Sequence, residues 1–104
     1  MNEYILLMHT DAVDQALAED GDRWTHYLTA LRHSNQFHGG SSIGSGQCFR
    51  QLPSPHQPAL PSLTSINGFI RVRAESLTAA RQFLIGNPIY EAGGTVEIRE
   101  LLKD

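Results

Sequence analysis

The side chains that could do chemistry or hold a charged ligand are His9, Asp11, His38, Ser42, Phe69, Arg71, Glu97 and Arg99. His9 closes an apolar run and Asp11 follows two residues later. A histidine titrating near neutrality, oriented by a carboxylate, can transfer protons, an effect typically worth ~10²–10⁴-fold in rate. The plainer role for His9 is a strand-end ring bonded to backbone. Glu97 and Arg99 stand two positions apart, ~6.6 Å along a strand and on one face. Arginine offers a two-pronged fork for a carboxylate or phosphate. The structural alternative is pairing with Arg71 and Arg73, or an ion pair between subunits. His38 shares an alternating row with Ser42 in a glycine-rich strand, where simple exposure is its alternative.

The remaining histidines offer less. His56 lies in the proline-rich stretch 51–63. His26 and His33 are separated by two helical turns, ~10 Å of axis, too far to share an ion and expected at the surface. No histidine pair has close ligand spacing with a carboxylate third, so no metal and no cofactor is expected.

Composition narrows the classes. A chain of 104 residues suits one domain spanning 1–104. Its eight Lys and Arg residues are scattered and the net charge is −3, which argues against nucleic acid as a partner. Cys48 is the lone cysteine, so no disulfide within the chain is expected. The run "EYILLMH" is too short to span a membrane and lacks the flanks of a signal peptide. The expectation is a cytoplasmic protein without membrane contact.

The elements that must position these residues follow from periodicity. Tyr4–His9 is a strand apolar in both alternating rows. Asp11–Glu19 suggests a helical turn capped by Asp11, and Asp22 opens a stronger helix. There Trp24, Tyr27, Leu28 and Leu31 share one face, as core anchors rather than a stacking platform. "FHGGSSIGSGQCFR" reads as an edge strand, bulged near Gly39-Gly40 and ending at Cys48 and Phe49. A phosphate-cradling loop lacks the Gly-Lys-Ser/Thr that would support it. Prolines break 51–63 into a loop. "SINGFIRVRA" alternates Ile70 and Val72 with Phe69, Arg71 and Arg73. Ser76 caps a helix over "LTAARQFLIG", stopped by Gly86, and a final strand sets Val96 and Ile98 opposite Glu97 and Arg99.

Strand, helix, strand, strand, helix, strand is the ferredoxin-like βαββαβ order. It gives an α+β fold, a four-stranded antiparallel sheet with two helices on one face and the first and third strands central. Either row of the first strand is apolar, so the face without helices would expose an apolar middle. Large exposed patches are uncommon on monomers. The expected partner is a second copy packed through the open sheet face, leaving a polar-rimmed cavity between the sheets.

The segments "EYILLMH", "WTHYLTAL", "FHGGSSI" and above all "GFIRVRAESLTAARQFLIGNPIYEAGGTVEIREL" resemble the YCII-related family, named for its DGPF motif. The resemblance covers nearly the whole chain and implies a dimeric α+β barrel. His56–Ala59, "HQPA", stands where Asp-Gly-Pro-Phe is usual, with only Pro58 retained. The resemblance also implies a His-Asp pair in the hydrolase-like and dehalogenase-like branches, and Trp24 occupies the histidine position. An indole cannot act as a general base. These departures favour a protein that binds a small anionic metabolite or a protein partner. The alternative is a small lyase- or hydrolase-type enzyme using a His-centred proton transfer, with His9 and Asp11 as its best candidates.

Overall fold

In a computed structural model the chain is described over residues 1–49, 51 and 65–103. His56, Pro58 and the rest of 52–63 lie outside the described residues. The strands are β1 (Asn2–His9), β2 (Phe37–Ser42), β3 (Ile66–Ala74) and β4 (Val96–Leu101), and the helices are α1 (Gln15–Ala18), α2 (Gly21–His33), α3 (Leu77–Ala80) and α4 (Pro88–Glu91). They form an antiparallel sheet of order β2-β3-β1-β4, with β1 and β3 central as the sequence predicts. The fold is ferredoxin-like α+β.

Register assigns every side chain to a face. Tyr4, Leu6 and Met8 of β1 and Ile70, Val72 and Ala74 of β3 are buried, packed with Tyr27 and Leu31 of α2, Phe83, and Ile89 of α4. Val96 and Ile98 of β4 join this side. The opposite face carries Ile5 and Leu7, flanked by Arg71 and Phe69 on β3 and by Arg99 and Glu97 on β4. Ile5, Leu7 and Phe69 are half-buried in the single chain. A strand apolar in both rows is therefore covered on only one side by its own helices.

Local signals were misplaced in several elements. The first helical turn is capped by Asp14, whose side chain accepts from Leu17 N. Asp11 is instead engaged by Thr95. Helix α2 begins at Gly21, because Asp20 accepts from the amides of Asp22 and Arg23 and so takes the cap position. The expected helix over 77–86 is α3 followed by a 3₁₀ turn, Arg81–Leu84. Gly86, at φ +83°, ends this segment, but the chain does not simply turn at Asn87-Pro88. Asn87 caps α4 by accepting from Tyr90 N, with proline in the first turn where its missing N–H costs nothing. Strand β2 stops at Ser42, and no strand pairing continues to Cys48 and Phe49.

The bulge at Gly39-Gly40 is present. Phe37 pairs with Val72 and Gly40 with Ile70, so three steps on β2 match two on β3, with Gly39 at φ +101°. Gly40 then lies so close to β3 that an added Cβ would stand 2.5 Å from the Phe69 carbonyl oxygen. Gly44 has no heavy atom within 4 Å of that position. Gly40→Ala should therefore lower stability by roughly 1–3 kcal/mol, an overpacking cost against backbone that cannot step aside. Gly44→Ala should stay within about 0.5 kcal/mol. Paired urea midpoints check this; equal midpoints would contradict the close approach.

Candidate functional site

The candidate residues separate onto the two sides of the sheet. On the open face, β1 and β4 bring His9 to Glu97. His9 is buried, and its Nε2 lies 3.2 Å from Glu97 Oε1, across 88 residues of sequence. Glu97 Oε2 accepts from Arg99 Nε. Arg99 foremost, and His9 after it, holds the Glu97 carboxyl below the usual carboxylate range. Asp11 has a different task. Its two oxygens accept from Thr95 N at 2.8 Å and Thr95 Oγ1 at 2.6 Å, which lowers its pKa and ties the β1 exit to the β4 entrance. The carboxylate hydrogen-bonded to His9 is thus Glu97, although Asp11 remains near enough to feel its charge.

A second charged cluster sits at the other end of β1. Arg71 Nη2 contacts both Glu3 oxygens, at 2.9 and 3.0 Å, and His38 Nδ1 lies 3.1 Å from Oε1. Arg71 is the main reason the Glu3 pKa is depressed. Glu3 was not singled out from sequence; only the β1–β3 register places it beside Arg71. The expected pairing of Glu97 or Arg99 with Arg71 or Arg73 does not occur, because β1 separates β4 from β3.

The bulge also breaks the row assigned to His38 and Ser42. His38 reaches Glu3 on the open face, whereas Ser42 pairs with Gly68 on the helix side. There Ser42 borders a cavity of about 340 Å³ between α2 and the β2–β3 edge. Trp24, Leu28 and Arg32, at four-residue spacing along α2, form one wall, and Phe37 and Met8 contribute others. Gly40 and Gly68 form part of its floor. Phe69 also borders it, although its register partners Leu7 and Ser41 assign its side chain to the open face.

The cavity wall is rigid at Trp24. Its Nε1 donates to the Ala18 carbonyl at 2.7 Å, and its ring meets Tyr27 edge-on with centroids 5.9 Å apart. Tyr27 is the core anchor the sequence predicts, and its hydroxyl donates to the Phe83 carbonyl. Burial raises the Tyr27 pKa, with Asn87 acting in the opposite direction. Trp24 is only half-buried because its other side faces the cavity. The Arg32 guanidinium lies 5.7 Å from the Phe37 ring centre. Sequence reasoning missed Arg32; it continues the row of Trp24 and Leu28, but as an exposed cation at the end of α2 it gives no signal until the helix is docked.

Among the described residues, no group of three His, Cys, Asp or Glu side chains could hold a metal ion. His26 and His33 are exposed, as expected. No described helix is long and apolar enough to cross a membrane.

No protein-family model matches the chain, and no curated protein sequence does. A solved structure does match. It is 5-chloro-2-hydroxyhydroquinone dehydrochlorinase from Burkholderia phenoliruptrix AC1100, in complex with 2,5-dihydroxybenzoquinone. The TM-score is 0.59 at 14% identity, over 98% of this chain and 95% of that one. The two chains share a fold. At this identity the likeness extends no further than architecture.

The depressed carboxylates give a pH test. A carboxyl whose pKa is lower folded than unfolded contributes stability above its unfolded value, about 4. That contribution fades as pH falls through the folded value. Thr95→Val, which removes one of the two donors on Asp11, should lower the urea midpoint at pH 7. The deficit should shrink as pH falls through the folded-state value of Asp11, because the carboxyl then takes up a proton in both states. A deficit independent of pH would contradict the assignment.

Proposed function

We propose that this chain is a divergent member of the YCII-related family that binds a small anionic metabolite in the cavity between α2 and the β2–β3 edge. The observation that carries this reading is the cavity itself, about 340 Å³, apolar on most sides, with Arg32 on its wall. Ligand sites are typically concave and mostly apolar, with a few polar groups to orient the ligand, and this volume is at the small end of their range. Ser42, one of the candidate ligand contacts, borders this cavity, which supports the reading. Trp24 occupies the position where the resemblance implies a catalytic histidine, so the site favours binding over catalysis.

The open face suits a second copy of the chain. Its middle is Ile5, Leu7 and Phe69, and at its two ends lie ion-paired clusters of mixed sign. Arg71 Nε is buried with no acceptor among the described residues, a donor that a partner chain could satisfy. In this arrangement the ligand lies on the helix side of each sheet and not between the sheets.

A second reading rests on the His9–Glu97 contact. A buried histidine oriented by a carboxylate could move a proton for a lyase- or hydrolase-type reaction. The enzyme sharing this fold is named for dehydrochlorination of a hydroxylated ring, and this supports testing such substrates. Chloride release from a chlorinated hydroxyhydroquinone, abolished by His9→Asn, would establish catalysis; no release leaves the binding reading.

Thermal shift against small carboxylate and phosphate metabolites tests the main reading. A ligand at a hundred times its Kd adds roughly 2.7 kcal/mol to stability, which for a chain of this size raises Tm by about 10 °C. The shift should vanish in Arg32→Ala and persist in Arg99→Ala. A shift lost in Arg99→Ala and kept in Arg32→Ala would move the site to the open face.

A further inference from the structure

Resting on the cavity reading, we infer that the ligand class is a planar aromatic monoanion, such as an aryl carboxylate, with its charge on Arg32 and its ring against Trp24 and Phe37. Charge comes first. Among the described residues no carboxylate lies within ion-pair distance of Arg32, in contrast to Arg23, Arg71 and Arg99. Among the described residues no acidic side chain borders the cavity. Arg32 is the one charged side chain of the described lining, which favours an anion and matches a single negative charge.

Shape follows from the floor and walls. Gly40 and Gly68 sit on neighbouring strands with no side chain rising from either. A Cβ at Gly68 would lie 3.0 Å from Met8 Cε and 3.3 Å from the Ser41 carbonyl oxygen, so a methyl group there would take up floor space and the Met8 tip would shift by a few tenths of an ångström. The indole of Trp24 is fixed by its bond to Ala18 and its contact with Tyr27, and it cannot turn to fit an irregular ligand. A bare backbone floor between an indole and a phenyl ring suits a flat ligand. Arg32 already lies over the Phe37 ring, so one cation can contact an aromatic face and a carboxylate together.

The protein has one tryptophan, so its ¹⁵N–¹H spectrum has a single indole signal, which reports from the cavity wall without further assignment. Titration with benzoate, benzamide and cyclohexanecarboxylate separates charge from planarity. Benzoate should move the indole signal saturably, with at least tenfold higher affinity than either analogue. Arg32→Gln, at an exposed position, should remove the preference for benzoate over benzamide while leaving the folded spectrum intact. Equal affinity for benzamide would overturn the anion, and equal affinity for cyclohexanecarboxylate would overturn the aromatic ring; the cavity reading survives both. No response to benzoate overturns the inferred class, and the metabolite thermal shift then decides the cavity reading independently. Gly68→Ala provides a second variant: it should weaken benzoate binding by crowding the floor, and unchanged affinity would contradict the seat on Gly68.

Discussion

Strand β1 is apolar in both of its rows and pairs on both edges, with β3 and with β4. A central strand cannot hide a row at the sheet margin, so each row needs its own layer of cover. Tyr4, Leu6 and Met8 obtain theirs from α2, α4 and the 3₁₀ turn. Ile5 and Leu7 obtain none from the chain's own helices, which all lie on the first side. Much of the architecture follows from this asymmetry: the described helices lie on one face, and on the other Ile5 and Leu7 are flanked by Phe69 and by the charged side chains of β3 and β4. The charged groups of this face are paired with one another. Glu3 lies against Arg71 and His38, and Glu97 against Arg99 and His9.

The cavity is a consequence of how the helix layer is built. Only α2 is long; α1, α3 and α4 each span a single turn. Helix α3 packs on both β3 and β4, while α1 and α4 pack together, where Gly94 allows Ile89 and Ala12 to close in and Gly93 takes a positive φ of 84°. Near the β2–β3 edge, α2 alone covers the sheet. Gly40 and Gly68 border the gap and contribute no side chain to it.

Much of this was legible in the sequence, because it depends on side-chain period. The two-sided β1, the bulge at Gly39-Gly40 and the opposed rows Val96/Ile98 and Glu97/Arg99 are all alternation signals, and the sheet order follows from them. What was not legible depends on pairing across long sequence separations. His9 takes Glu97 rather than the nearby Asp11 because the β1–β4 register brings the former into reach while Thr95 claims the latter. His38 and Ser42 read as one row until the extra bulge residue puts them on opposite sides. The close approach of Gly94 to Ile89 was not legible either. Arg32 acquires meaning only once Phe37 and the bulge are beneath it.

The account stands on the need for a second layer over Ile5, Leu7 and Phe69, and the mass of the protein in solution measures that directly. Light scattering at micromolar concentration should give twice the 11.5 kDa of one chain. Leu7→Lys, which places a charge in the middle of the open face, should return the mass to that of one chain while the fold is retained. A wild-type protein with the mass of one chain, folded and soluble at that concentration, would contradict the claim.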